Sequence, residues 1–249
     1  MSIEINIPPG GKPPSKNDTP ASNSKRPDRE KKKPKYKRAS FEEDPTEWVS
    51  FDIGSPNPIR RQIHKEAIYI SCTTFRAAFE SEMIEGQTQI YKLLDTDIKA
   101  FSLFQQWVYS SRLNLIQTAI EYNESEHLES GEIEEENLAL AKLWVFGDRY
   151  GIARLQNEAL DMMQRAFEAN EKVHMRHYGY IYENTTEYSA LREYVVYMVV
   201  RNAPWTIFDE EGGLGWSKEM FRDLCRVYAY EKFEDGFVSS QRPVRDFYV

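Results

Sequence analysis

The stretch from Leu138 to Tyr150 leaves little choice about architecture. Leu138, Leu140, Ala141, Leu143, Trp144, Val145 and Phe146 fall on more than one face of a helix. A helix that is apolar around most of its circumference must be covered on most sides. It is therefore read as a helix buried on most sides. Gly151 breaks it. A second helix, about Ile152 to Phe167, follows at once, with Leu155, Ala159, Leu160 and Met163. The two form a helical hairpin.

The covering elements are legible upstream. Trp48-Val49-Ser50-Phe51-Asp52-Ile53 nearly alternates apolar and polar residues, which suits a strand. The turn cluster Gly54-Ser55-Pro56-Asn57-Pro58 leads into a return strand over Ile59 to Ile63. Ser71 is placed to cap a helix whose Phe75, Ala78, Phe79 and Met83 share a face. Ile90 to Leu94 reads as a short strand. Asp95 or Thr96 then opens a helix carrying Ile98, Phe101, Phe104, Trp107 and Val108, ending around Ser110–Arg112.

Downstream, Asn184-Thr185-Thr186-Glu187 matches a capping box, followed by Tyr188, Leu191, Val195, Met198 and Val199 at helical spacing. Trp216 and Phe221 flank Ser217 as a hydrophobic staple around an N-cap, with Phe221, Leu224 and Tyr228 on one face. Residues 202–215 read as a loop, and residues 236–249 as a loose tail. The fold class is α+β: a small β-sheet flanked by a helical cluster, with a C-terminal α-helical extension over 169–235.

Charge divides the 249-residue chain sharply. Residues 1–40 carry eleven Lys or Arg and four Asp or Glu, a net of +7, whereas the whole chain is −8, leaving −15 for the remainder. The first 40 residues are rich in Pro, Ser, Lys and Asn and nearly lack large apolar side chains. They read as a disordered basic tail, because so little apolar surface cannot offset the entropy of ordering. Lys25, Arg26, Lys31, Lys32, Lys33, Lys35, Lys37 and Arg38 form a candidate nuclear-import cluster or electrostatic tether. The acidic remainder repels phosphates, so nucleic acid is an expected partner only weakly, through the tail. No apolar run approaches the roughly 18 residues needed to span a bilayer, and residues 1–11 lack the apolar core of a secretory signal. With two cysteines, Cys72 and Cys225, neither a disulfide framework nor a four-thiolate metal site is expected. These features point to an intracellular protein of the nucleus, the cytoplasm or both, with no membrane partner.

Residues 121–136 hold eight glutamates and no Lys or Arg. Like charges at that density favour an extended, solvated insertion. The pattern lacks the Asp/Asn/Gly spacing of a calcium loop. Catalytic candidates are also thin. Cys72 adjoins a predicted helix N-terminus, where a thiol pKa could fall, but no base or oxyanion site accompanies it. His174 and His177, three apart, could share a helix face and bind a metal, yet no third ligand is evident. Asp95 and Asp148 read as capping or ion-pairing groups. The expectation is no catalytic residue, no metal, no cofactor and no enzymatic activity.

Three segments resemble the BTB/POZ family. The first is Ile63-His64-Lys65-Glu66-Ala67-Ile68 running into Ser71-Cys72-Thr73-Thr74-Phe75. It looks like that family's hydrophobic–His–Lys start of its first helix and the Ser-x-x-Phe start of the second. The second segment runs from Leu94-Asp95 through Ala100-Phe101 to Trp107-Val108-Tyr109-Ser110-Ser111-Arg112-Leu113. The third is Leu140 to Tyr150 with Leu155-Gln156-Asn157, where the family's Ala-Asp-x-Tyr turn is written Gly147-Asp148-Arg149-Tyr150. Their order is that of the family, and the resemblance covers residues 41–168, about half the chain, with the acidic insertion inside it. The general style is similar to that of short single-BTB proteins of filamentous fungi.

The resemblance implies a protein-interaction module, associating with itself as a homodimer or with another protein. It implies a dimer face at Trp48, Val49, Phe51, Ile53 and Ile68, and a partner-binding helix at Phe101, Phe104, Gln105 and Tyr109. His64 and Lys65 then position the first helix. Two narrower roles follow: a substrate adaptor on a cullin scaffold, or a nuclear regulator tethered by the basic tail.

Overall fold

The computed structural model describes residues 39, 41, 46–119, 131–202, 216–233 and 242–249. The basic tail with its import cluster, residues 120–130 with the first part of the acidic insertion, the 203–215 loop and residues 234–241 lie outside them. The protein is mixed α+β, mostly helical, around a small three-stranded sheet. Strands β1 (Trp48–Ile53) and β2 (Ile59–His64) form the expected antiparallel hairpin. Helices α1 (Lys65–Ser71), α2 (Thr73–Phe79) and α3 (Ile84–Thr88) then carry the chain over to β3 (Ile90–Leu93), which pairs parallel to β1. A parallel partner requires such a crossover, because a tight turn returns the chain antiparallel.

Helix α4 (Ile98–Ser110) is capped by Asp97, whose carboxylate accepts the Lys99 and Ala100 N–H groups at 2.9 and 3.1 Å. The cap is thus one or two residues beyond the expected Asp95 or Thr96. Asp95 is instead ion-paired to Arg149. Ser71 is also displaced from its expected role. It ends α1, its hydroxyl donates to the Ala67 carbonyl at 2.7 Å, and Cys72 takes the N-cap position of α2. Met83 lies beyond α2 and is exposed.

The centre of the molecule is α5 (Glu132–Arg149), paired with α6 (Ala153–Asn170). Leu140, Leu143 and Trp144 are essentially inaccessible, and α5 packs against α4, α6 and α7 (Tyr178–Asn184). Each such buried side chain contributes about 1.5–3 kcal/mol relative to exposure. The hairpin turn needs glycine twice. Gly151 has φ +67, and a Cβ on Gly147 would come within 2.8 Å of Gln156 Cγ.

The acidic run is corrected by the structure. Glu132 to Glu136 are helical, not extended, because Gly131 starts α5 there and carboxylates in a first helical turn are stabilised by the helix dipole. Glu136 also accepts the backbone N–H groups of Ile116 and Gln117 at 2.7 and 3.2 Å, so its carboxylate is engaged by the 116–118 turn.

The C-terminal third adds α8 (Ala190–Asn202) and α9 (Lys218–Phe233). Ser217 does cap α9, accepting the Met220 N–H at 3.2 Å, with the Trp216 and Phe221 rings 5.7 Å apart. The buried face holds Met220 and Leu224, while Phe221 is half-exposed. The capping box at Asn184 does not start a helix. Asn184 ends α7, Thr185 donates back to Ile181, and Ser189 accepts the Arg192 N–H at 3.3 Å. The last residues are not a loose tail either. The 3-10 turn Val244–Phe247 packs on α6 and α8, burying Phe247. Lys37–Val249 is one compact unit, and α6 runs straight through the expected boundary at 168. No helix of the described residues is long and apolar enough to cross a membrane.

Candidate functional site

The sheet has two unlike faces. Along β1, Val49, Phe51 and Ile53 point into the core and are at most 1% exposed. Strand alternation sends Trp48, Ser50 and Asp52 to the other side. The pairing register sets these opposite His64, Gln62 and Arg60 of β2, and each cross-strand pair interacts. Arg60 donates to both Asp52 oxygens at 2.7 and 2.9 Å. That bond from Arg60 holds the Asp52 carboxyl below its ordinary range against the opposing effect of burial. Gln62 Nε2 donates to Ser50 Oγ at 3.4 Å. Trp48 lies on the His64 ring, with centroids 3.6 Å apart and planes inclined by 36°.

Helix α4 locks this arrangement from the strand's free edge. Tyr109 Oη accepts the His64 backbone N–H at 3.0 Å and sits 2.9 Å from His64 Nδ1, to which it donates when that nitrogen carries no proton. Gln105 Nε2 donates to the Gln62 carbonyl at 3.1 Å. Four residues of helix rise about 6 Å and two residues of strand about 6.6 Å. Gln105 and Tyr109 therefore match successive outward backbone groups of β2. Phe41 completes the cluster with its ring 5.0 Å from His64, while its N–H donates to Glu66 at 2.7 Å. Lys65 pairs with Glu47 at 3.0 Å. Trp48 and Tyr109 remain 44% and 45% exposed.

This geometry redraws the expected contact residues. Val49, Phe51, Ile53 and Ile68 are interior to the protomer, because they form the apolar side of the sheet and of α1. Only Trp48 of that set reaches the surface. Phe101 and Phe104 are likewise core residues, ringed by Phe51, Phe75 and Phe146. Gln105 and Tyr109 face outward but grip β2. The structure thus joins one member of the expected dimer face, Trp48, to one member of the expected partner helix, Tyr109, through His64. Residue types alone do not reveal that link, since it depends on the crossing of α4 over β2. The available signal was the i,i+4 spacing of Gln105 and Tyr109 on the polar side of α4.

The other chemical candidates are placed as follows. Cys72 is buried, and burial pushes its thiol pKa up, opposite to an activated nucleophile. His174 and His177 precede α7 rather than share a helix face, and no three His, Cys, Asp or Glu side chains gather as metal ligands among the described residues. Asp148 accepts from Gln156 at 3.3 Å across the α5–α6 turn. A groove of about 370 Å³ beside the N-terminus of α4 is lined by Asp95, Asp97, Lys142 and Arg149. These pair with one another, Lys142 reaching Asp97 at 2.8 Å.

No family model matches the chain, and a search of curated proteins finds no match.

Proposed function

We propose that this chain is a non-catalytic protein-interaction module of the BTB/POZ kind, acting by self-association or by pairing with another protein. The element order supports this reading: a hairpin, three short helices where the resemblance implies two, a strand beside β1, a long helix and a helical hairpin follow one another. The observation that carries it is the Trp48–His64–Tyr109 cluster. The half-exposed Trp48 ring stacks on His64, and His64 is itself held to Tyr109 by two hydrogen bonds. Rigid aromatic anchors lose little entropy on binding and concentrate affinity.

Sedimentation velocity on the full chain tests it. The expected result is a concentration-dependent shift from one to two protomers, weakened about tenfold or more by Trp48→Ala with little change in Tm. A single protomer at every concentration, unchanged by the substitution, would overturn self-association. The cullin-scaffold reading has narrower support, since Phe101 and Phe104 are enclosed and Gln105 and Tyr109 are committed to β2. The nuclear reading rests on residues 25–38, outside the described residues.

A further inference from the structure

The joint between α6 and α7 holds a histidine that the interaction role does not use. His177 is 7% exposed, and its Nδ1 has no hydrogen-bond partner. It lines a cavity of about 30 Å³ where α5, α6 and α8 converge, with Asn137, Phe167, Tyr194 and Met198 among the walls. Gln117 Oε1, on the same wall, is also without a partner. The space suits one water molecule, which does not solvate an ion.

The neighbouring charges do not favour an imidazolium there. From its own segment, Lys172 and His174 bring positive or neutral groups. Glu134 of α5 lies 3.5 Å from His174 through Oε1 and has its Oε2 buried without a hydrogen-bond partner, but it does not line the His177 cavity; Glu136 of α5 binds Gln117. From α7 and α8 come the phenols of Tyr178 and Tyr194, whose pKa values burial raises further, so they stay neutral. Glu168 of α6 is exposed. Burial, and after it His174, pushes the His177 pKa down to about 3.

We propose that the His174–His177 segment is an acid-released latch: the closed joint excludes a protonated His177, so acid opens residues 171–184 as a unit. On opening, the exposed ring takes one proton from solvent at its ordinary pKa near 6.5. Opening draws α7 off α5, since Tyr178 follows directly and Ile181 N–H donates to the His177 carbonyl. Linkage then gives an opening constant about 30-fold larger at pH 5 than at pH 8.

Amide hydrogen exchange on the full chain, corrected for intrinsic rates, tests this. The expected result is a rise of that order across 171–184, with α4 unaffected. The rise should vanish in His177→Phe and persist in His174→Gln. Equal protection at both pH values, or a response lost only in His174→Gln, would overturn the proposal. Imidazole NMR of the unaltered chain reads the same point should His177→Phe not fold. A closed-state His177 ring neutral at pH 5 supports the latch, and one titrating near 6.5 contradicts it.

Discussion

The two ends of the shared core are built from different chemistry. Around the sheet, α2, α4 and the C-terminal part of α5, the interior is a mesh of phenyl rings. Phe51, Phe75, Phe101, Phe104 and Phe146 meet at centroid separations of 4.9–6.4 Å, and the Tyr91 and Tyr150 rings that pack on them stay neutral because burial raises their pKa values. Around α7, α8 and the N-terminal part of α9, the interior is lined by Tyr178, Tyr182, Tyr194, His177 and Arg192, all buried. The Arg192 guanidinium donates to the carbonyls of Tyr182 and Thr185 and to Thr185 Oγ1, and lies 4.4 Å from the Tyr182 ring centroid. A phenyl mesh loses stability only through lost volume. A core with buried polar groups depends on every partner and on protonation. The first end therefore suits a rigid support for a surface anchor, and the second suits a responsive element.

Truncation of the mesh gives the largest expected effect. Phe104→Ala should cost about 3–5 kcal/mol in urea unfolding, with the loss independent of pH between 5 and 8. Arg192→Met tests the other end. It strands carbonyls that a cation now satisfies, so the expected loss is about 2–3 kcal/mol. A loss under 0.5 kcal/mol, roughly the scatter for surface substitutions, would remove the contrast.

Acid sharpens the comparison. An imidazole whose folded pKa lies below its unfolded value leaves stability full above about pH 6.5 and lowers it as pH falls toward 3. Between pH 7 and 5 the expected loss is about 2 kcal/mol, absent in His177→Phe. Asp97 acts in the same direction but at lower pH. Burial raises its pKa, but the bonds from Lys142 and the α4 backbone outweigh this, so the net shift is downward. Its contribution is present above the ordinary pKa of 3.8 and is lost only below it. The smallest effect expected is that of Asp97→Ala, about 1 kcal/mol from the lost cap, read as a lower Tm.

The elements that depend on local pattern were legible in the sequence. The β1–β2 hairpin, the Ser217 cap and the all-round apolar α5 follow from alternation, cap chemistry and helical period. What was hidden depended on distant partners. Glu132 to Glu136 look like a repelling run until Gly131 and the 116–118 turn give them a helix dipole and N–H donors. Asn184 to Glu187 has the letters of a capping box, but α7 already occupies Asn184, and Ser189 caps α8 instead. Phe247 looks like tail because its pocket is formed by Tyr194 and Tyr197, some fifty residues earlier. At the surface, strand alternation could mark Trp48 as opposite to Val49, Phe51 and Ile53. Which of the two faces is covered is a tertiary fact.

The Trp48–His64–Tyr109 face is the proposed meeting place of this protein with a partner, its own second copy included. Hydrogen exchange of the full chain at low and high protein concentration tests it most directly. The expected result is concentration-dependent protection over residues 46–50, 62–66 and 105–110, with α8 and α9 unchanged. Protection confined to α8 and α9, or none at any concentration at which the chain stays soluble, would contradict it.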